Sequence, residues 1–179
     1  MNTIETIARQ LVPVGTWKAD PVHSQVEFGI KHLGIVTVKG RFGDFDATLE
    51  GGDEPRLVGT IRTASVDTYD EDRDAHLRLP DFFDSERYPE ARIEATRIES
   101  DRILAQVTLK GVTREVELAS RFSGPAQDPL GNERIGLELE GEIDRTDFGL
   151  AWNAPLPDGG FVLDDPVKLS ASLSFVKEA

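Results

Sequence analysis

The chain has 179 residues, and its 33 Asp and Glu against 20 Lys and Arg give a formal charge of −13. A nucleic-acid binder needs a basic face to displace counterions, and this balance excludes a large one, so no nucleic-acid partner is expected. Without a cysteine there is no disulfide frame, thiolate nucleophile or sulfur-ligated metal site, and an all-imidazole site would need His23, His32 and His76 together.

Residues 1–13 read as an extension in which Ile4, Ile7, Ala8 and Leu11 recur at the spacing of a short amphipathic helix. Met1–Gln10 lacks the basic and apolar regions of a secretory signal, and no stretch approaches the about 20 apolar residues that cross a bilayer. One cytoplasmic domain over residues 1–179, without stable membrane insertion, is expected.

From residue 22 the dominant period is two. Val22, Ser24, Val26, Phe28, Ile30 and His32 fall on one face and Gln25, Glu27 and Lys31 on the other, the pattern of a half-buried strand. Val36, Val38, Gly40 and Phe42 repeat it, and the shift of parity to Phe45, Ala47 and Leu49 predicts a β-bulge at Gly43-Asp44. Further strands are expected near 57–65, 91–99, 103–109, 112–122, 135–143 and 167–175, with Lys110-Gly111 as a two-residue hairpin turn. Strands with one apolar face close into a sandwich or a barrel, and long strands with an internal bulge favour an all-β, eight-stranded antiparallel barrel.

One segment breaks the period. Thr68 to Glu71 reads as a T-x-x-E capping box, opening a helix of two to three turns in an insertion over about 68–84. Residues 67–90 hold nine acids and three bases, nearly half of the net charge. Leu77, Leu79, Phe82 and Phe83 within it are expected to cap one end of the barrel.

No nucleophile elbow, phosphate loop or paired-His helix occurs, so no catalytic residue and no metal ligand is assigned. The acids of the insertion are explained by the dipole of the helix they open. What remains is the barrel interior, where large residues (Phe28, Phe42, Phe45, Phe122, Phe148) mix with small ones (Gly40, Ala47, Gly59, Ala91, Ala95, Ala105, Gly141, Ala171). Such a mixture either interdigitates into a solid core or leaves a lumen for one small ligand.

The stretch Trp17-Lys-Ala-Asp20-Pro-Val-His23-Ser24, continuing through Phe28-Gly-Ile30-Lys-His32-Leu-Gly34 to Gly40-Arg-Phe42-Gly-Asp-Phe45, resembles the opening of the YceI-like family. Ser65-Val-Asp67-Thr68, Arg73-Asp74-Ala-His76-Leu77-Arg78, Asp81-Phe82-Phe83-Asp84 and Arg145-Thr-Asp147-Phe148-Gly149 extend the resemblance over about 16–176 in the right order. It implies a lipocalin-like barrel that holds a polyisoprenoid, isoprenoid quinone or fatty-acid derivative without catalysis, often as a dimer. Many members are exported, whereas this sequence shows no export signal.

On that basis the lumen is expected to be lined by Val26, Phe28, Ile30, Val36, Val38, Phe42, Ile61, Ile93 and Val107, with Phe82, Phe83, Phe148 and Trp152 near a mouth. His76, Arg78 and Arg145 are candidates to meet a polar headgroup. The bound lipid is the expected partner, with no other cofactor, and its carriage or storage the expected role. Two alternatives stand beside it: an enzyme on a lipid or polyketide-like substrate using His76 or Asp74 as acid or base, and an acidic module between Asp67 and Asp84 that docks a basic partner.

Overall fold

The computed structural model describes residues 12–179, so the predicted N-terminal helix lies outside the described residues. The two-residue alternation becomes strand segments β1 (Gly15–Ala19), β2 (Gln25–His32), β3 (Val36–Phe42), β4 (Phe45–Gly51), β5 (Arg56–Arg62), β6 (Val66–Asp67), β7 (Glu90–Ile98), β8 (Arg102–Leu109), β9 (Val112–Gln127), β10 (Glu133–Asp144) and β11 (Leu163–Lys177). The pairs β1/β2, β3/β4 and β5/β6 are each two halves of one bent strand. Eight antiparallel strands therefore run up and down in chain order, and the barrel closes where both β1 and β2 pair with β11.

The parity shift at Gly43-Asp44 marks a corner and not a bulge. On one side of it β3 pairs with β2 and β6, and on the other β4 pairs with β1 and β5. Gly43 N donates to Ser65 O and Arg62 N to Asp44 O, so this corner is stitched to a 3-10 turn, Thr63–Ser65, which ends β5 earlier than predicted. True register shifts fall instead between Ala95 and Arg97, Arg134 and Gly136, and Leu163 and Val167. The strand predicted from Val22 begins at Gln25, because Val22 sits in the preceding turn, 83% exposed. At Lys110-Gly111 both residues have positive φ, 51° and 76°, as a two-residue hairpin turn between paired Leu109 and Val112 requires.

The barrel interior is divided. Toward the end where β1 begins and β11 ends, Trp17, Leu49, Ile103, Ile135, Leu137 and Phe175 are fully buried and fill it. Val12 closes this end, and Trp17 Nε1 donates to Pro13 O at 3.0 Å. At mid-height the small residues receive their large neighbours. The Phe28 ring lies over Gly40 and the Leu118 side chain over Gly141, so a Cβ at either glycine would collide with them. In this part of the barrel the mixture of sizes interdigitates into solid core.

One polar cluster locks the filled end from outside. Arg134 Nε donates to Asp128 Oδ2 at 2.8 Å, and its Nη1 donates to Asp20 Oδ2 at 2.9 Å and to Ser174 Oγ at 3.2 Å. It joins the β1–β2 turn, the β9–β10 hairpin and β11. The Asp20 carboxyl is pulled down to about 2, first by its hydrogen bond to His23 and then by Arg134. Asp128 is lowered further by Arg134 and Asn132. Carboxyls depressed in the folded state stabilise it above their unfolded value and lose that contribution as pH falls through the folded value. The urea midpoint is therefore expected to drop as pH falls from about 3.8 toward about 2. Asp20→Asn is expected to flatten that drop; a variant with the same acid slope as wild type would contradict the assignment.

Candidate functional site

The opposite half of the barrel is hollow, with a cavity of about 360 Å³. Its walls are the inward residues of that half: Phe28 and Ile30 of β2, Val38 and Phe42 of β3, Ile61 of β5, Ala91 and Ile93 of β7, Val107 and Leu109 of β8, Ile143 of β10, Val167 and Leu169 of β11. The period of two that makes each strand half-apolar thus also makes the wall. Phe28, Phe42 and Phe83 pack along one side, the first pair tilted and the second edge-to-face, with successive ring centroids 5.5 Å apart.

Two lids close over it. The first is helix α1 (Glu71–Leu77) with Phe82 and Phe83. Its N-cap is Asp70, whose Oδ1 accepts from Arg73 N at 2.8 Å, and not Thr68 as the capping box suggested. Thr68 instead anchors the helix through a side chain, since its N and Oγ1 both donate to Asp74 Oδ1, at 2.8 and 2.5 Å. Asp74 is buried as a brace of the helix and stands behind Thr68, outside the residues that line the cavity. Leu77, Phe82 and Phe83 face the cavity as expected of a cap, whereas Leu79 is 54% exposed on the outer side of the turn.

The second lid is the loop from Gly149 to Val162, which contributes Leu150, Trp152 and Val162 to the wall. Arg145 holds it. This guanidinium is 4% exposed; its Nη1 donates to Leu150 O at 2.6 Å and Trp152 O at 2.9 Å, its Nε to Asp164 O at 2.9 Å and its Nη2 to Asp165 Oδ1 at 3.2 Å. Asn153 clips the same loop to β11 through both N and O of Leu163. The lids meet where the His76 ring stands edge-on to Phe82 and Trp152, at 5.1 and 5.0 Å, and Phe82 packs on Trp152 at 5.4 Å.

The structure brings Phe28, Ile30, Val38, Phe42, Ile61, Ile93, Val107, Phe82, Phe83, Trp152, His76 and Arg145 to this cavity. Four predicted residues lie elsewhere. Val26 is one step deeper along β2, opposite Ala171 in the filled part. Val36 is 53% exposed at the hairpin turn, where the strand has left the barrel. Phe148 is 1% exposed within the core, and Arg78 turns away to donate to Ala64 O. Arg145 reaches the wall, but its donors are spent on the lid loop, which makes it a fastening for the lid.

Sequence reading missed Arg73 and Thr68. Arg73 Nε donates to Thr68 Oγ1 and its Nη2 to Thr68 O, while Nη1 carries no hydrogen bond among the described residues. Arg73, His76 and Leu77 share one helical face by their i, i+3 and i+4 spacing, a signal the sequence already held. The cavity is therefore apolar except for Arg145 under the second lid, a polar margin of Thr68, Arg73 and His76 beneath the first lid, and His32 on β2. His76 Nε2 is 3.0 Å from Asp81 Oδ2, and His23 is beside Asp20 at the far end, so the three histidines are not gathered. Among the described residues no group of three or more His, Asp or Glu is placed to hold a metal ion.

Known proteins share this architecture. A UPF0312 protein of Staphylococcus epidermidis is 35% identical over 161 residues, 87% of this chain and 94% of its own. A UPF0312 protein of Staphylococcus aureus is 34% identical over the same coverage. Among solved structures, BcnA of Burkholderia cenocepacia superposes with a TM-score of 0.74 at 19% identity, covering 87% of this chain and 98% of its own. The YceI protein of Campylobacter jejuni gives 0.68 at 29% identity over 83% and 90%. A polyisoprenoid-binding domain from Saccharophagus degradans gives 0.68 at 15% over 90% and 98%. The family description YceI-like domain matches residues 17–175, so nearly the whole barrel, from the Trp17 plug to Phe175, belongs to the YceI-like family.

Proposed function

We propose that this protein binds a long apolar chain, isoprenoid or fatty acyl, with its tail in the hollow half of the barrel and its polar end at Thr68, Arg73 and His76. The observation that carries this is the cavity itself: a wall of aliphatic and aromatic side chains with one polar margin is how a binding site for an amphiphile is built. The polyisoprenoid-binding domain with the same fold supports the ligand class.

Volume sets the scale. An apolar cavity of about 150 Å³ holds a six-carbon ring, or about 25 Å³ per carbon, so about 360 Å³ takes about 14 carbons, close to three isoprene units. Burying them gains roughly 11 kcal/mol gross at about 0.8 per carbon. Association returns at least about 4, leaving an affinity on the order of micromolar without any specific polar contact. The site is read as non-catalytic because its polar margin offers a cationic donor, Arg73 Nη1, to a polar end, and no sequence motif of a nucleophile or metal centre accompanies it.

Solvent extraction of the purified protein followed by mass spectrometry tests the reading. A lipid in near-stoichiometric amount is expected. Failure to recover one, together with no uptake of a fluorescent farnesyl chain, would refute it.

A further inference from the structure

The mouth of the cavity carries an apolar edge that the barrel does not use for its own packing. At the β2–β3 hairpin tip Leu33, Ile35 and Val36 are 41%, 80% and 53% exposed, and Phe161 of the second lid is 60% exposed. The two segments are joined, since Leu33 N donates to Val162 O at 2.8 Å and Leu163 lies opposite His32. His32, Val162 and Leu163 all line the cavity, so the edge adjoins its wall. Leu33 also has φ of 57°, a region that glycine or asparagine fills at lower strain. Turn geometry does not account for a leucine there.

The charge around this edge differs from that of the whole chain. Residues 28–43 are its longest run without an acid, and they carry Lys31, Lys39 and Arg41 in a protein of net charge −13. Arg41 is paired with Asp67 and Asp165 with Arg145, which leaves Lys31 beside the tip against Asp158 and Asp164 of the neighbouring segment and brings the edge as a whole near neutrality. Charges beyond about 8 Å are screened at physiological ionic strength, so a surface touching the edge meets this local balance and not the total.

We propose that Leu33, Ile35, Val36 and Phe161 dock on a zwitterionic lipid bilayer, so that an apolar chain passes between membrane and barrel without crossing water. The inference rests on the reading of the cavity as a lipid site. Three features select a bilayer as the occupant. The edge adjoins the cavity wall at His32, Val162 and Leu163, it is near neutral, and it is a protruding tip. Its four side chains offer a few hundred Å² at most, short of the about 800 Å² per partner that a stable protein interface buries. A bilayer needs only that such tips enter its interfacial region.

Flotation with phosphatidylcholine vesicles, with no ligand added, reads docking directly. The wild type is expected to float with the vesicles, and the double variant Ile35→Asp, Phe161→Asp to lose at least tenfold in bound fraction. Leu130→Asp is the control: it lies at the β9–β10 hairpin of the opposite end, is 88% exposed, and is expected to leave flotation unchanged. A wild type that stays in solution, a double variant that floats equally, or a Leu130→Asp variant that loses as much would overturn the proposal. Both substituted positions are exposed, so the double variant is expected to take up a farnesyl probe delivered in ethanol as fully as wild type. Absent uptake in the wild type refutes the cavity reading, while flotation judges docking independently of it.

Discussion

Ala91→Phe is expected to weaken uptake of an apolar chain nearly a hundredfold while leaving the melting temperature at or above that of wild type. Ala91 stands on β7 opposite Ile61, and both line the cavity. A phenyl ring placed there enters empty apolar space, so it meets no well-packed neighbour to displace, and the ring itself gains burial. It needs about 150 Å³ of the about 360 Å³ available. A ligand filling the cavity then loses the burial of about six carbons, roughly 5 kcal/mol gross, and half of that approaches a hundredfold in affinity if the chain partly shifts. Titration with a farnesyl probe beside a thermal melt separates the two effects. Binding and stability falling together would mean that the hollow half is ordinary core.

Arg145→Met is expected to do the reverse, with a loss of about 3–5 kcal/mol in stability from the carbonyls it leaves without a donor. The buried guanidinium supplies the donors for Leu150 O, Trp152 O and Asp164 O. Each carbonyl left without a partner costs about 1–3 kcal/mol. For a chain of this length the melting temperature should fall on the order of 10 °C. Arg145→Lys is expected to rescue little, because a single ammonium cannot span carbonyls that a planar fork joins. The second lid is fastened through this residue, the Asn153 clip on Leu163 and the bond from Leu33 N to Val162 O. Ligand release from the variant is therefore expected to quicken. A melt within a degree or two of wild type would show that the lid is held in some other way.

Much of the barrel was legible because its signal is local. Strands such as β10 and β11 alternate over 135–143 and 167–175, and their inward residues pair with each other, Ile135 with Phe175 and Leu139 with Ala171. The cap was legible too, because Leu77, Phe82 and Phe83 had no other place to bury. What local pattern could not show was depth. Val26 and Phe28 are two residues apart on one face and both pack against the core, yet Phe28 stands in the cavity wall and Val26 does not. The difference comes from strands that are distant in sequence: Gly40 makes room for the Phe28 ring, and Ala171 leaves Val26 opposite a small neighbour. Charge misled in the same way. Arg78 and Arg145 looked like headgroup ligands because a sequence does not display the backbone carbonyls that absorb them, while Arg73 was passed over beside its acidic neighbours.

The closing seam has a consequence for how the chain reaches this state. Every strand of the barrel pairs with its neighbour in sequence except at the junction of β1 and β2 with β11, where Trp17 lies opposite Lys177 and Phe28 opposite Leu169. These contacts bridge almost the entire chain and must wait for the largest loop to close, so they are the slowest to form. During synthesis a growing chain carries an incomplete sheet with two open edges until β11 has left the ribosome. Its first strand holds Trp17, the plug of the filled half, uncovered for that interval. The step most exposed to aggregation is thus the last one, the arrival of residues 163–177.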